Sequence, residues 1–229
     1  MQVPKHIGII IDGNRRYAKQ LLKEPWNGHE IGAENVENLF SWCSELGISE
    51  LTLYTFSMQN FKRPEKEVSY LMDLFCHFFE REKTKNTIKD NDIKVNFIGR
   101  IHLLPDKVQK IIHQVAEETK NNQKFIVNFA MAYGGREEVI DGVNKIISEA
   151  KQDKINEVTE ETFSKYLYMQ HEPDLIIRTG GEKRTSNFLI WQSWYSEWFF
   201  LDKLWPEFGK EDLVKVLEQF SQRERRFGK

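Results

Sequence analysis

Three stretches of this chain gather the residue types that bind and polarise phosphate groups. The first is Asp12-Gly13-Asn14-Arg15-Arg16, set directly after the apolar run Ile7 to Ile11. The second holds Ser57, Gln59, Asn60, Lys62 and Arg63, and the third Arg178, Gly180, Gly181, Glu182, Arg184 and Ser186. Each sets at least one arginine beside a hydroxyl or an amide. A lone carboxylate next to two guanidinium groups suits a phosphate that arrives with Mg²⁺: the carboxylate takes the hard cation and the arginines take the oxygens. Alone, the first stretch fits an ordinary β-to-α turn with solvated charges equally well. Three such stretches at equivalent places describe a site for more than one phosphate.

The elements around these stretches predict that they meet. Ile7, Ile9, Ile10 and Ile11 read as a strand buried on both faces. It stops at Asp12-Gly13-Asn14, where Gly takes positive φ and Asp and Asn bond their own backbone. Tyr17-Ala18-Lys19 reads as a first helical turn, so the turn's N–H groups lie where an anion can sit. Further strands are predicted at Leu51–Phe56, Ile93–Ile98, Phe125–Ala130 and Leu175–Ile177, with a last strand region drawn from Phe188–Trp191 and Trp198–Leu201. Helical spacing runs from Ile31 to Leu46, with Gly47 as the stop. A long helix begins near Pro64 with Val68, Leu71, Met72, Phe75, Phe78 and Phe79 on one side, and its charged second half, Glu80 to Asp92, projects into solvent. More helices are expected over Pro105–Asn122, after Gly134-Gly135 (carrying Val139, Val143, Ile146 and Ile147), over Thr159–Met169 with Thr159 as cap, and over Asp212–Arg226. Alternation of this kind predicts one α/β domain over the whole chain, with a central, mostly parallel sheet of about six strands covered by helices. Ligands of such sheets bind beyond the carboxyl ends of the strands, where all three polar stretches fall.

Composition narrows the function. At 229 residues, 40% of them hydrophobic, the chain can bury a sizeable core. A net charge of −2 gives no general basic field toward nucleic acid, so anion binding must be local. Cys43 and Cys76 lack metal-ligand spacing and read as buried free thiols of a reducing cytoplasm. No secretory leader and no run of about 18 apolar residues is seen, which predicts a soluble, cytoplasmic protein. Neither GxxxxGK[ST] nor GxGxxG occurs, which counts against a nucleotide-binding α/β protein.

HIGIIIDGNRRYAK (His6 to Lys19), GHEIG (Gly28 to Gly32), TLYTFSMQNFKRP (Thr52 to Pro64), YGGR (Tyr133 to Arg136) and IRTGGEKRTSNFLIWQ (Ile177 to Gln192) together resemble the cis-prenyltransferase family. The match continues in order to RERRFG (Arg223 to Gly228). That family, which includes undecaprenyl and dehydrodolichyl diphosphate synthases, adds isopentenyl diphosphate units to an allylic diphosphate primer and makes each new double bond cis. The resemblance implies the family's α/β fold, Mg²⁺ as cofactor, a farnesyl or geranylgeranyl diphosphate primer, a long-chain product such as undecaprenyl diphosphate, and a homodimer. It also implies possible peripheral contact with a membrane for product release. The DDxxD motif of the all-helical trans enzymes is absent; Lys89-Asp90-Asn91-Asp92 is not one. Some family relatives are non-catalytic partner subunits, but those typically lose the aspartate and arginines that this first motif keeps.

By position, the resemblance makes Asp12 and Asn60 the catalytic residues, and Asp12 with Glu197 the magnesium ligands. Gly13, Asn14, Arg15, Arg16 and His29 match residues that hold the primer's diphosphate, and Tyr17 matches an aromatic that contacts the primer. Ser57, Met58, Gln59, Asn60, Phe61 and Arg63 match the loop that closes over the reacting ends. Arg178, Arg184, Thr185 and Ser186 match the isopentenyl diphosphate site. An isolated His29 would read as a structural core histidine; its place in GHEIG is what raises it. Val68, Leu71, Met72, Phe75 and Phe79 are candidates for the wall of a product tunnel, with core packing the alternative for at least half of them. Two positions depart from the family pattern. Gln59 stands in place of the usual Glu, and Pro25 in place of a primer-binding arginine that Lys23 could replace.

Overall fold

The computed structural model describes residues 3–24 and 27–223. Six strands are found there: β1 (His6–Ile10), β2 (Glu50–Ser57), β3 (Ile93–Ile98), β4 (Phe125–Tyr133), β5 (Leu175–Arg178) and β6 (Glu197–Phe200). They form one sheet in the order β3-β4-β2-β1-β5-β6, and every pairing is parallel. The sheet is therefore wholly parallel, and its central strands are apolar on both faces because helices cover both.

Eight helices accompany it: α1 (Asn14–Gln20), α2 (Gly28–Glu45), α3 (Glu65–Glu80), α4 (Glu82–Asp90), α5 (Asp106–Thr119), α6 (Gly135–Ala150), α7 (Glu160–Ser164) and α8 (Lys210–Ser221). Alternate residues of the strands sort into two cores, as the two-residue period of a strand requires. Ile7, Ile9, Leu51, Leu53, Val95, Val127, Phe129 and Ile177 join the larger core, which also holds Phe40 and Cys43 of α2, Met72, Phe78 and Phe79 of α3, Val108 and Ile112 of α5, and Leu213 and Leu217 of α8. Ile10, Tyr54, Ile98, Ala130 and Ile176 face the other side, against Met169, Phe188 and Leu189. Between β1 and β2 the chain crosses on the first face. It returns to the far side of β1 only at β5, after α6 and α7. The strand order reverses at β1, and the reversal opens a crevice beyond its carboxyl end.

Several elements differ from their sequence reading. The helix from Pro64 is two helices, broken at Arg81, whose ψ of 133° is extended. The second does not project into solvent. Thr84 and Ile88 are buried, the Thr84 hydroxyl donates to the buried Glu37 of α2, and Lys83 lies 3.0 Å from the same carboxylate. The charge of the segment hid a short apolar stripe. On α6 the inward set is Glu138, Gly142 and Ile146, whereas Ile140, Val143 and Ile147 are exposed. Phe188 and Leu189 are buried in turns, not in a strand. The first helix begins at Asn14, three residues before the predicted turn.

Candidate active site

Asp12 stands at the reversal point of the sheet, two residues past β1. Gly13 follows with φ 118°, and a Cβ there would meet Leu204 Cα at 2.9 Å, so the turn that aims Asp12 needs glycine. Arg178, the last residue of β5, lies in register with Ile10 and is only 3% exposed. Its Nη2 donates to Asp12 Oδ2 at 2.9 Å, while Nη1 donates to Ser186 Oγ at 2.7 Å and to the Arg184 carbonyl. Arg16 Nη2 lies 3.4 Å from the other Asp12 oxygen. Arg184 pairs with Glu182. Both arginines of the third stretch thus have carboxylate partners. With its charge matched on the protein, Arg178 can be buried without ligand.

On the other side of Asp12, the buried carboxylate of Glu67 holds Arg63 at 3.2 Å and Arg15 at 3.7 Å. These two cations and burial hold the His29 imidazole down to a pKa of about 3, burial being the larger cause, so it is neutral near pH 7. His29 Nε2, Asn14 Oδ1 and Arg178 Nε are buried without a hydrogen-bond partner. Buried polar atoms left open in this way mark a place built for a polar ligand. Ser57 caps the short helix Met58–Lys62, and its N–H donates to Asn60 Oδ1 at 2.9 Å, which fixes Asn60 at the rim.

These groups line a cleft of about 600 Å³ that includes Asp12, Asn14, His29, Ser57, Gln59, Asn60, Arg63, Arg178, Arg184 and Ser186. A neighbouring space of about 410 Å³ adds Gly13, Arg15, Arg16, Lys19 and Glu182. Six basic side chains thus surround a few carboxylates in a protein of net charge −2, a local field suited to diphosphates. A third cavity, of about 100 Å³, shares Ile11, Asn14, His29 and Thr55 with the cleft. It runs between α2 and α3, past Val36, Leu71, Met72, Phe75 and Phe78, to Phe129 and Met131 of β4. A polar cleft that opens into an apolar channel accommodates a molecule with an anionic head and a hydrocarbon tail.

The structure brings together most residues expected at the site. Tyr17 is half-buried on α1 and lines none of these cavities. Met58 and Phe61 pack toward the larger core, Phe61 edge-on to Phe56, and Thr185 is an exposed turn residue. Glu197 is not at the site in this chain. Parallel pairing sets it opposite Leu175, at the far end of the strand from Arg178, and Arg223 is its ion-pair partner. Phe75 and Leu71 line the channel, whereas Val68 and Phe79 do not. Lys23 lies outside the lining residues, and Pro25 and most of RERRFG lie outside the described residues. Sequence reasoning missed Glu67, which lies in the first turn of α3 and pairs with Arg63 from the extended residues just before that helix. It also missed Lys19 and Asn187.

Fold and cleft together define an α/β protein whose basic cleft suits diphosphate groups and opens into an apolar channel. A family model described as "Putative undecaprenyl diphosphate synthase" matches residues 10–228. The tritrans,polycis-undecaprenyl-diphosphate synthase (geranylgeranyl-diphosphate specific) of Methanopyrus kandleri is 44% identical over 100% of this chain and 86% of its own length. The isoprenyl transferase of Thermotoga maritima is 46% identical over 100% of this chain and 98% of its own. Among solved structures, lavandulyl diphosphate synthase from Lavandula x intermedia, in complex with dimethylallyl diphosphate, superposes with a TM-score of 0.95 at 35% identity, covering 99% of each chain. The chain belongs to the cis-prenyltransferase family of undecaprenyl diphosphate synthases. It is a prenyl-transferring enzyme that elongates isoprenoid diphosphates.

Proposed function

We propose that the protein condenses isopentenyl diphosphate, unit by unit and in cis, onto an allylic diphosphate primer to give a long-chain polyprenyl diphosphate such as undecaprenyl diphosphate. The observation that carries this reading is a single cleft with two sets of phosphate-type donors on either side of Asp12, joined to an apolar channel. Of the two primers considered, geranylgeranyl diphosphate has the support of the Methanopyrus relative's name over farnesyl diphosphate.

In this reading the primer's diphosphate lies against Gly13, Asn14, Arg15, Arg16 and His29, and its hydrocarbon enters the channel at Ile11 and Thr55. Arg178, Arg184 and Ser186 hold the diphosphate of isopentenyl diphosphate. Ser57 to Arg63 covers the junction, with Asn60 fixed by its bond to Ser57. As the allylic C–O bond breaks, its electron pair leaves with the diphosphate. Preorganised guanidinium groups stabilise that charge without reorganising. His29, being neutral, adds a hydrogen-bonding nitrogen rather than another positive charge. The apolar channel keeps water from the carbocation.

Asp12 suits Mg²⁺: a half-exposed carboxylate with no further acidic cluster around it among the described residues fits a cation that takes one protein ligand and completes its shell with phosphate oxygens and water. When bound, Mg²⁺ would neutralise diphosphate charge. We further propose a homodimer that acts in the cytoplasm, with membrane contact limited to peripheral association at product release. Among the described residues no helix is long and apolar enough to cross a membrane.

The test is mass analysis of products from purified protein with Mg²⁺, isopentenyl diphosphate and either primer. Long polyprenyl products, made faster from geranylgeranyl diphosphate, are expected. A ladder confined to one added unit with both primers would refute the long-chain reading.

A further inference from the structure

The YGGR stretch has no part in the cleft chemistry above, yet its geometry leads to it. Gly135, the first residue of α6, donates its N–H to the Asn187 carbonyl at 2.7 Å. The next N–H, that of Arg136, donates to Asn187 Oδ1 at 2.8 Å. Asn187 Nδ2 in turn donates to Glu137 Oε2 at 2.8 Å. One residue thus occupies two N–H groups and a carboxylate of the first helical turn. A Cβ on Gly134 would lie 2.2 Å from Glu137 Oε2 and 2.6 Å from Asn187 Nδ2, so the glycine leaves room for this clasp.

Asn187 is also held with φ 66°, after Ser186 at φ 50°. Asparagine tolerates this left-handed region better than most residues. On the other side of the turn, the Tyr54 hydroxyl, in a ring stacked on Phe188, donates to the Ser186 carbonyl at 3.2 Å. The loop so braced is the one whose Ser186 Oγ and Arg184 carbonyl fix Arg178 Nη1.

We propose that Asn187 is a positioning residue for isopentenyl diphosphate: clasped to the first turn of α6 through Arg136 N–H and Glu137, it sets the Arg184–Ser186 loop and, through it, Arg178. This rests on the reading of the third stretch as the isopentenyl diphosphate site. An acid–amide exchange separates positioning from mere folding. Asn187→Asp keeps the acceptor for Arg136 N–H but sets a carboxylate against Glu137. Glu137→Gln in the same chain restores a donor and acceptor pair with the roles swapped.

The experiment measures KM for isopentenyl diphosphate and for geranylgeranyl diphosphate, with Mg²⁺, in wild type, N187D, E137Q/N187D and N187G, alongside melting temperatures. N187G keeps the left-handed backbone without the clasp. N187D and N187G are expected to raise the KM for isopentenyl diphosphate about tenfold, converting to about 1.4 kcal/mol, and to leave the primer KM within about twofold. E137Q/N187D is expected to recover most of the loss. An unchanged KM for isopentenyl diphosphate in folded N187D and N187G, equal rises for both substrates, or no recovery in the double variant would overturn the proposal. Wild-type protein that saturates normally with primer but shows no use of isopentenyl diphosphate would instead overturn the site reading beneath it.

Discussion

Phe75, Phe78 and Phe79 sit within two turns of α3, yet their surroundings assign them different work. Phe75 is half-buried and lines the apolar channel; Phe78 lines it too and meets Phe40, Phe79 and Phe129 edge-on. Phe79 is 3% exposed, lines no part of the channel, and packs against Phe75, Phe78, Phe97 and Phe129 at centroid distances of 5.0 to 5.5 Å. The channel holds about 100 Å³. An engineered cavity of about 150 Å³ takes one benzene, so this space takes no more than about one five-carbon unit. The tail of either primer, and a longer product still more, must therefore push against the phenylalanine cluster. Phe75→Ala removes the ring at the channel wall and should lengthen the product by a unit or two, since one helical turn advances the wall by about 5.4 Å. Its stability cost should be about 1 kcal/mol, because the ring is only partly buried. Phe79→Ala should cost about 3–5 kcal/mol and leave chain length unchanged. Phe78→Ala should show both effects. Product lengths by mass analysis and stabilities by urea titration are the assays. Unchanged lengths in folded Phe75→Ala and Phe78→Ala would refute this account of the channel.

Other outcomes follow from individual contacts. Arg184→Ala should raise the KM for isopentenyl diphosphate more than that for primer, and the opposite ranking would mean that the two sites are exchanged. Arg178→Ala should harm both substrates, because it also frees Asp12. The depressed pKa of His29 means that the folded state binds fewer protons than the unfolded one between about pH 3 and 6.5. Its contribution to stability is thus fully present above about pH 6.5 and is lost as pH falls toward 3. His29→Gln should flatten the drop in urea midpoint between pH 7 and pH 5, and an equal drop in both proteins would count against it. Thr84→Val removes a hydroxyl from the buried Glu37 carboxylate and should cost about 1–3 kcal/mol in urea titration without changing KM for either substrate.

How much could be read from the chain depended on whether a property is local or relational. β-Branched runs such as Ile7–Ile11 and Leu175–Ile177 gave their strands away, and the polar stretches after them fell at one sheet edge because parallel topology admits no other place. The register was not legible: Glu197 reads as a site carboxylate by motif, and only its pairing with Leu175 removes it from the cleft. Charge patterning misled at Glu80–Asp92, where two buried residues, Thr84 and Ile88, suffice to dock a helix. Ion-pair choice was hidden as well. Arg178 takes its counter-charge from the turn after β1, 166 positions away in sequence, a partnership that no local spacing announces.

The central claim is that Asp12 joins the two diphosphate sites, as the carboxylate at which Arg178, Arg16 and a bound cation converge. Asp12→Ala would leave the buried Arg178 guanidinium without a hydrogen-bond acceptor there, so Asp12→Asn, which keeps an amide oxygen in that place while removing the charge, is the cleaner perturbation. The deciding measurement is kcat for the first condensation at saturating isopentenyl diphosphate, primer and Mg²⁺, in Asp12→Asn against wild type, with the melting temperature recorded on the same samples. The account predicts a fall on the order of 100-fold or more in a protein that melts within a few degrees of wild type. A folded Asp12→Asn with wild-type kcat would contradict it.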